Sequence, residues 1–160
     1  MAQVYLSIGS NMQRKRNISG GLKALKQHFG ALEISTVYES EAVGFAGDNF
    51  YNLVVGFQAE QDADSLNKLF KQIEADHDRT RLDAKFAPRT LDIDLLIYGE
   101  LIRPEIDLPR KEITRYAFVL KPMAEMAPDA LHPEIKQSYQ QLWQDFTDDK
   151  QKLWAADWQV

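Results

Sequence analysis

Ala87-Pro88-Arg89-Thr90-Leu91-Asp92-Ile93-Asp94-Leu95-Leu96-Ile97-Tyr98-Gly99 is the stretch on which the reading of the chain turns. From Asp92 to Tyr98 it alternates acids with apolar residues and then becomes continuously apolar, and Gly99 stops it, so it reads as a strand. It is the last of a series. Upstream of it, residues 77–90 are polar and aperiodic, which predicts a long loop. Before that loop, Leu66, Leu69, Phe70 and Ile73 form an apolar helical stripe, with Asp62, Asp64 and Ser65 placed to start the helix. Tyr51–Gln58 and Leu32–Tyr38 read as strands, separated by the irregular stretch 39–49. Ile18, Leu22, Leu25 and Phe29 recur at helical spacing up to Gly30. Gln3–Ile8 is the opening strand, with Gly9-Ser10-Asn11 read as the turn that ends it.

The resulting order, β-α-β-β-α-β, predicts an α+β ferredoxin-like fold, an antiparallel sheet with helices packed on one face. Downstream, Pro104 and Pro109 mark a loop, Phe118–Met126 a helix ending at Pro128, and Tyr139, Leu142, Trp143 and Phe146 a last amphipathic helix. No repeat and no low-complexity linker divides the chain, so residues 1–160 are expected to form a single domain, acting as a monomer. The acidic, tryptophan-containing tail (Trp143, Trp154, Trp158) is expected to pack against that domain.

Composition narrows the function. The 160 residues carry a net charge of −5, are 44% hydrophobic and contain no cysteine, which removes disulfides, thiolate nucleophiles and cysteine metal sites. No apolar run approaches the ~20 residues of a membrane span, and the N-terminus does not have the pattern of a signal peptide, so the expected location is cytoplasmic. Residues 125–160 hold seven acids and three bases, which leaves the rest of the chain close to neutral. A general basic face for nucleic acid is therefore not expected. Neither Gly-x-x-x-x-Gly-Lys-Ser/Thr nor Gly-x-Gly-x-x-Gly occurs, and His28, His77 and His132 are not at metal-ligand spacing.

Chemistry concentrates around Asp92. On a strand, Asp92 and Asp94 share one face with α-carbons ~7 Å apart. Two carboxylates so placed can hold hard cations such as Mg²⁺, and a pair of such ions ~4 Å apart can clamp a phosphoryl group. The same face is expected to continue through Leu96 and Tyr98, unlike a solvated polar exterior. Arg79, Arg81, Lys85 and Arg89, with Phe86 among them, place cationic donors just upstream, as phosphoryl transfer requires. Phe50 and Phe118, taken singly, read as core residues; taken with Asn52 they could sandwich and read a flat heterocycle.

Together, Leu6–Asn11, Tyr38-x-Ser40 through Gly44, Phe50–Asn52, Ala87–Leu96 and Phe118–Pro128 fall in an order that resembles the 6-hydroxymethyl-7,8-dihydropterin pyrophosphokinases of folate biosynthesis. The likeness covers nearly the whole chain up to Pro128, and Pro-Arg-Thr-Leu-Asp-Ile-Asp is its most specific run. The resemblance implies transfer of pyrophosphate from ATP, the co-substrate, to the pterin hydroxymethyl group. It further implies that Asp92 and Asp94 bind two Mg²⁺ ions and that Arg79 and Arg89 contact the phosphates. Lys71 and Glu74 would lie near the adenosine part. Arg81, Phe86, Leu95, Arg110, Lys111 and Arg115 would complete the ATP site. Ser40, Val43, Phe50, Asn52, Asp92 and Phe118 would form the pterin pocket.

Several residues depart from the family pattern. Phe86 stands where tryptophan is common, Asp78 where glycine is usual, and Glu41 where proline is usual. After Pro109, Arg110 replaces a histidine, and the arginine expected two residues before Phe118 stands at 115, with Tyr116 in its place. Two narrower readings use fewer of these residues: a catalytically weakened relative that binds pterin or nucleotide, and another Mg²⁺-dependent transferase on the same fold. Arg110 is expected to take over the histidine's phosphate contact, since both donate hydrogen bonds and arginine stays cationic.

Overall fold

The computed structural model describes residues 1–41, 48–77 and 91–160. Its frame is β1 (Ala2–Ser10), α1 (Arg14–Phe29), β2 (Glu33–Ile34), β3 (Tyr38–Ser40), β4 (Phe50–Ala59), α2 (Ala63–His77) and β5 (Asp92–Tyr98). The sheet runs β5-β1-β4-β3-β6, with β2 also paired to β4 and β6 spanning Leu153–Ala155. Counting β2 and β3 as one interrupted strand, this is the antiparallel ferredoxin-like arrangement that the element order predicts.

Alternation along the strands sorts side chains to two faces. Val4, Leu6 and Ile8 of β1, Leu53, Val55 and Phe57 of β4, and Ile93 and Leu95 of β5 pack with α1 and α2 through Ile18, Leu22, Leu25, Leu66, Phe70 and Ile73. Each such buried side chain contributes on the order of 1.5–3 kcal/mol. Asp62 Oδ1 accepts the Ser65 N–H at 2.8 Å and starts α2, as its position predicts.

The expectation of helices on one face only is corrected. The opposite face carries Val54, Leu96 and Ile97, covered by α4 (Ala117–Met126) and α5 (Tyr139–Gln144) through Val119, Leu120, Met123 and Tyr139. A short α3 (Glu112–Arg115) leads into α4.

Three boundaries differ for local reasons. Gly9 and Ser10 do not turn; they stay in β1, paired with Asn52 and Tyr51, and the chain leaves through Gln13 at φ 42°. Leu32–Tyr38 is not one strand. Ile34 pairs with Val55 and Tyr38 with Asn52, so one extra residue bulges out between them. There the Ser35 hydroxyl accepts the Val54 N–H at 2.9 Å. The third difference is in β5, where the register with β1 slips between Leu95 and Ile97. Leu96 is the additional residue, so Leu96 and Ile97 both face α4 while Tyr98 turns to the α1–α2 side. Tyr98 therefore does not continue the Asp92 face. The expected loop at 77–90 lies outside the described residues from 78 onward, and His77 ends α2.

The tail packs as expected and adds a strand that periodicity did not show. β6 pairs with β3, Trp158 stacks on Tyr51 at 5.9 Å, and Gln159 exchanges hydrogen bonds with the Val37 backbone at 2.7 and 2.9 Å. Among the described residues no helix is long and apolar enough to cross a membrane.

His132 is buried in the turn before α5, where its Nδ1 accepts the N–H groups of Glu134 and Ile135, both at 3.2 Å. Burial lowers its pKa below the ordinary 6.5, despite the opposing charge of Glu134. The folded chain thus takes up this proton less readily than the unfolded chain. The stability it confers is complete above pH 6.5 and declines as pH falls below that value. Glu74, whose carboxyl pKa is raised to about 7, changes stability in the opposite sense over the same range, so the His132 contribution is read as a difference between two sequences. In thermal melts between pH 8 and pH 5.5, His132→Asn, which keeps an acceptor near the Nδ1 position but cannot titrate, should gain stability relative to the native sequence as pH falls.

Candidate active site

Strand pairing assembles the site at one end of the sheet. Gly9 in β1 lies between Asp92 of β5 and Asn52 of β4, and Asn52 in turn pairs with Tyr38 of β3. Paired residues in antiparallel strands share a face. Asp92, Gly9, Asn52 and Tyr38 therefore form a row across four strands. Asp94 stands one step along β5 opposite Ser7, and Phe50 pairs with Ser40 at the other side. All lie on the face of the sheet against which α4 packs, and Phe118, in the first turn of α4, is partly buried against the same apolar cluster.

Gly9 makes the row possible. Its φ lies outside the left-handed region, so the backbone does not require glycine there. A β-carbon at Gly9 would instead lie 2.6 Å from Asn52 Oδ1, which shows that the Asn52 amide crosses over β1 towards Asp92. Phe50 and Phe118 are half-buried rather than core residues, and Phe118 meets Tyr116 with ring centroids 5.0 Å apart. Beside Gly9, Asn11 is buried, and among the described residues neither polar atom of its amide finds a hydrogen-bond partner.

The carboxylates are not isolated. Glu74 on α2 accepts the Ile93 N–H at 2.7 Å and shares a hydrogen bond with Asp92. Its pKa is pushed up to about 7, first by burial and then by Asp92 and Asp94, against the lowering effect of the Ile93 N–H. Sequence reasoning placed Glu74 only through the resemblance. The available signal was its position on the flank of the Phe70–Ile73 apolar stripe.

Arg110 reaches one of these carboxylates, Asp94. Its N–H donates to the Leu96 carbonyl at 3.0 Å, fixing its backbone beside the β5 bulge. Its Nη2 donates to Glu112 Oε1 at 3.0 Å and stands 3.5 Å from Asp94 Oδ1, while Nη1 lies 3.8 Å from Asp107 Oδ2. Burial by itself would lower the Arg110 pKa, but Glu112, Asp94 and Asp107 outweigh it and raise it. Arg110 therefore stays cationic. The ion pair to Asp94 is beyond reach of periodicity, because fifteen residues and a turn separate the partners.

Other candidates divide. Lys71 is exposed one turn before Glu74, and Lys111 and Arg115 are exposed around α3. Leu95 is not brought to this face: its side chain, 5% exposed, belongs to the α1–α2 core. Val43, Arg79, Arg81, Phe86 and Arg89 lie outside the described residues.

The donor chemistry suits a hard divalent cation. Asp92 and Asp94 are half-exposed and offer oxygen ligands, and among the described residues no third ligating side chain completes a cage with them. A site of one or two carboxylates that relies on substrate oxygens for its remaining ligands is the usual Mg²⁺ pattern.

The sequence profile of a family described as 7,8-dihydro-6-hydroxymethylpterin-pyrophosphokinase (HPPK) matches residues 5–128. The chain is 34% identical over 142 residues to the 2-amino-4-hydroxy-6-hydroxymethyldihydropteridine pyrophosphokinase of Porphyromonas gingivalis, covering 84% of this chain and 96% of that protein. It is 34% identical over 137 residues to the protein of the same name from Aquifex aeolicus, covering 83% and 85% respectively. Among solved structures it is similar to Plasmodium falciparum HPPK-DHPS with pteroate, at TM-score 0.68 and 13% identity over 91% of this chain. The chain spans 43% of that structure's length, and the likeness at this identity speaks for the fold alone.

Gly9→Ala should fold with a stability change below about 1 kcal/mol, because the new methyl meets a side chain that can rotate away. The Asn52 side-chain amide resonances should move in the variant's NMR spectrum while those of the α1–α2 core stay in place. Unmoved Asn52 resonances would show that the amide does not cross Gly9.

Proposed function

The chain belongs to the 7,8-dihydro-6-hydroxymethylpterin-pyrophosphokinase family, and from that premise we infer how its residues divide the reaction. It is an enzyme that transfers pyrophosphate from ATP to the hydroxymethyl group of 6-hydroxymethyl-7,8-dihydropterin in folate biosynthesis, releasing AMP. The bond broken joins the β-phosphorus to the oxygen bridging it to the α-phosphorus, and the bond formed joins that phosphorus to the hydroxymethyl oxygen.

The observation that carries the assignment of roles is the Asp92–Gly9–Asn52 row, with Ser40, Phe50 and Phe118 on the same face. Asn52 reads the edge of the pterin, whose amide-like donors and acceptors match a carboxamide. Phe118 and Phe50 flank the flat ring, with Ser40 and Val43 closing the pocket. At the Asp92 side of the row the hydroxymethyl group meets the polyphosphate. Asp92 and Asp94 would hold two Mg²⁺ ions, which when bound neutralise phosphate charge and align the two substrates. Arg79 and Arg89 supply cationic donors to the transferring group, and Arg81 and Phe86 belong to the ATP site. Arg110, Lys111 and Arg115 face the nucleotide from the α3 side, and Lys71 and Glu74 lie towards the adenosine. Residues 1–160 work as a single domain and a monomer in the cytoplasm.

Incubation with ATP, Mg²⁺ and 6-hydroxymethyl-7,8-dihydropterin should form AMP only when the pterin is present. Asp94→Ala should abolish that turnover while leaving the fold intact, since it also removes repulsion from Asp92 and Glu74. AMP formation by Asp94→Ala at the native rate, still dependent on Mg²⁺, would remove Asp94 from the metal site. Asn52→Ala should lose roughly 1–3 kcal/mol of pterin binding by calorimetry, because it leaves polar groups of the ligand unpaired. Unchanged affinity would place Asn52 outside the pocket.

A further inference from the structure

Arg110 sits among three carboxylates, and one of them is the candidate metal ligand Asp94. The three contacts are unequal. The same Nη2 atom is 3.0 Å from Glu112 and 3.5 Å from Asp94, so the Asp94 contact is the looser of the two. If Asp94 turns to a metal ion, Glu112 and Asp107 still hold the guanidinium, and no buried charge is abandoned. Among the described residues the buried Nε of Arg110 has no hydrogen-bond partner, so the guanidinium keeps a donor to give to a ligand. The backbone bond from Arg110 to Leu96 keeps the residue beside β5, within reach of whatever Asp94 binds.

We infer that Arg110 is the exchangeable counter-cation of Asp94: it competes with a divalent ion for that carboxylate when no nucleotide is bound, and moves to the polyphosphate when the ion arrives with one. The inference rests on the reading of Asp94 as a metal ligand. A guanidinium and a divalent cation drawn to one carboxylate repel each other, so the free ion binds weakly. A polyphosphate places negative charge between them and turns the repulsion into two attractions. Arg110 thereby couples metal binding to nucleotide binding and disfavours a site loaded with metal alone.

Two affinities measure this, and the inference gives them opposite signs. The first is Mn²⁺ binding to the nucleotide-free protein, followed by electron paramagnetic resonance. The second is binding of the Mn²⁺ complex of α,β-methylene ATP, followed by calorimetry. Arg110→Gln should bind free Mn²⁺ about three- to tenfold more tightly, the scale expected for losing one half-exposed cation at 3.5 Å. The same variant should bind the metal–nucleotide complex about tenfold more weakly. Simple damage to the site would weaken both. Glu112→Gln supplies a second test that does not depend on Arg110→Gln folding. It releases Nη2 towards Asp94 and should weaken free Mn²⁺ binding.

Free Mn²⁺ affinity that is unchanged or lower in Arg110→Gln, or unchanged or higher in Glu112→Gln, overturns the inference. Asp94→Asn separates this failure from a failure of the metal assignment. Weaker Mn²⁺ binding in Asp94→Asn upholds Asp94 as a ligand whatever Arg110 does, whereas unaltered binding removes the assignment and the inference together.

Discussion

The double pairing of β1, with β4 on one side and β5 on the other, is the constraint on which the site depends. It fixes Asp92, Gly9 and Asn52 as neighbours although they come from three distant parts of the chain. Because the side-chain period of a strand is two, a slip of one residue in either pairing would send Asp92 and Asp94, or Asn52, into the α1–α2 core. The core itself prevents that slip. Leu6, Ile8, Leu53, Val55, Ile93 and Leu95 are all buried against the two helices, and any other register would expose them. The hydrophobic effect thus sets the register, and the register sets the geometry of the polar groups on the opposite face.

That opposite face is managed electrostatically. Asp92, Asp94 and Glu74 crowd together at one edge of the sheet, and their mutual repulsion joins burial in raising the Glu74 pKa. Arg110 offsets part of that charge from the α3 side, with Glu112 and Asp107 holding it in place. An acidic cluster of this kind is suited to cations, while a guanidinium such as that of Arg110 is suited to phosphate. A reaction between two bound substrates, with a polyphosphate held at their junction, needs both.

Packing on the α4 side of the sheet joins that helix to the strands of the candidate site. Glu125 of α4 accepts the Thr36 N–H at 2.8 Å, the Thr36 hydroxyl at 3.0 Å and the Tyr38 hydroxyl at 2.6 Å. One carboxylate therefore ties the helix that carries Phe118 to the strand that carries Ser40. The tail reinforces the same region, since β6 pairs with β3 and Gln159 grips Val37. Arg14 lies over the Tyr51 ring at 3.9 Å and donates to the Asn49 carbonyl at 3.1 Å, steadying the start of β4 beside Phe50. The floor of the candidate site is built from strands, and α4 is held to that floor by hydrogen bonds that Glu125 accepts from side chains and backbone of the β3 region.

The sequence by itself determined the order of the main elements, the shared face of Asp92 and Asp94, and the likeness that identifies the chemistry. These are properties of local period and of residue type, and both are written along the chain. The glycine inside β1 was visible but ambiguous, because a glycine after a strand pattern signals a turn as readily as a close approach. Only the position of Asn52 on the neighbouring strand resolves it. The bulge at Leu96, the second helical layer and the strand of the tail were decided in three dimensions, where cross-strand partners and buried area choose among locally equivalent conformations. The same holds for the ion pair of Arg110 with Asp94 and the contact of Glu74 with Asp92. A charged side chain has no period to betray its partner, and its partner is chosen by where packing leaves the backbone.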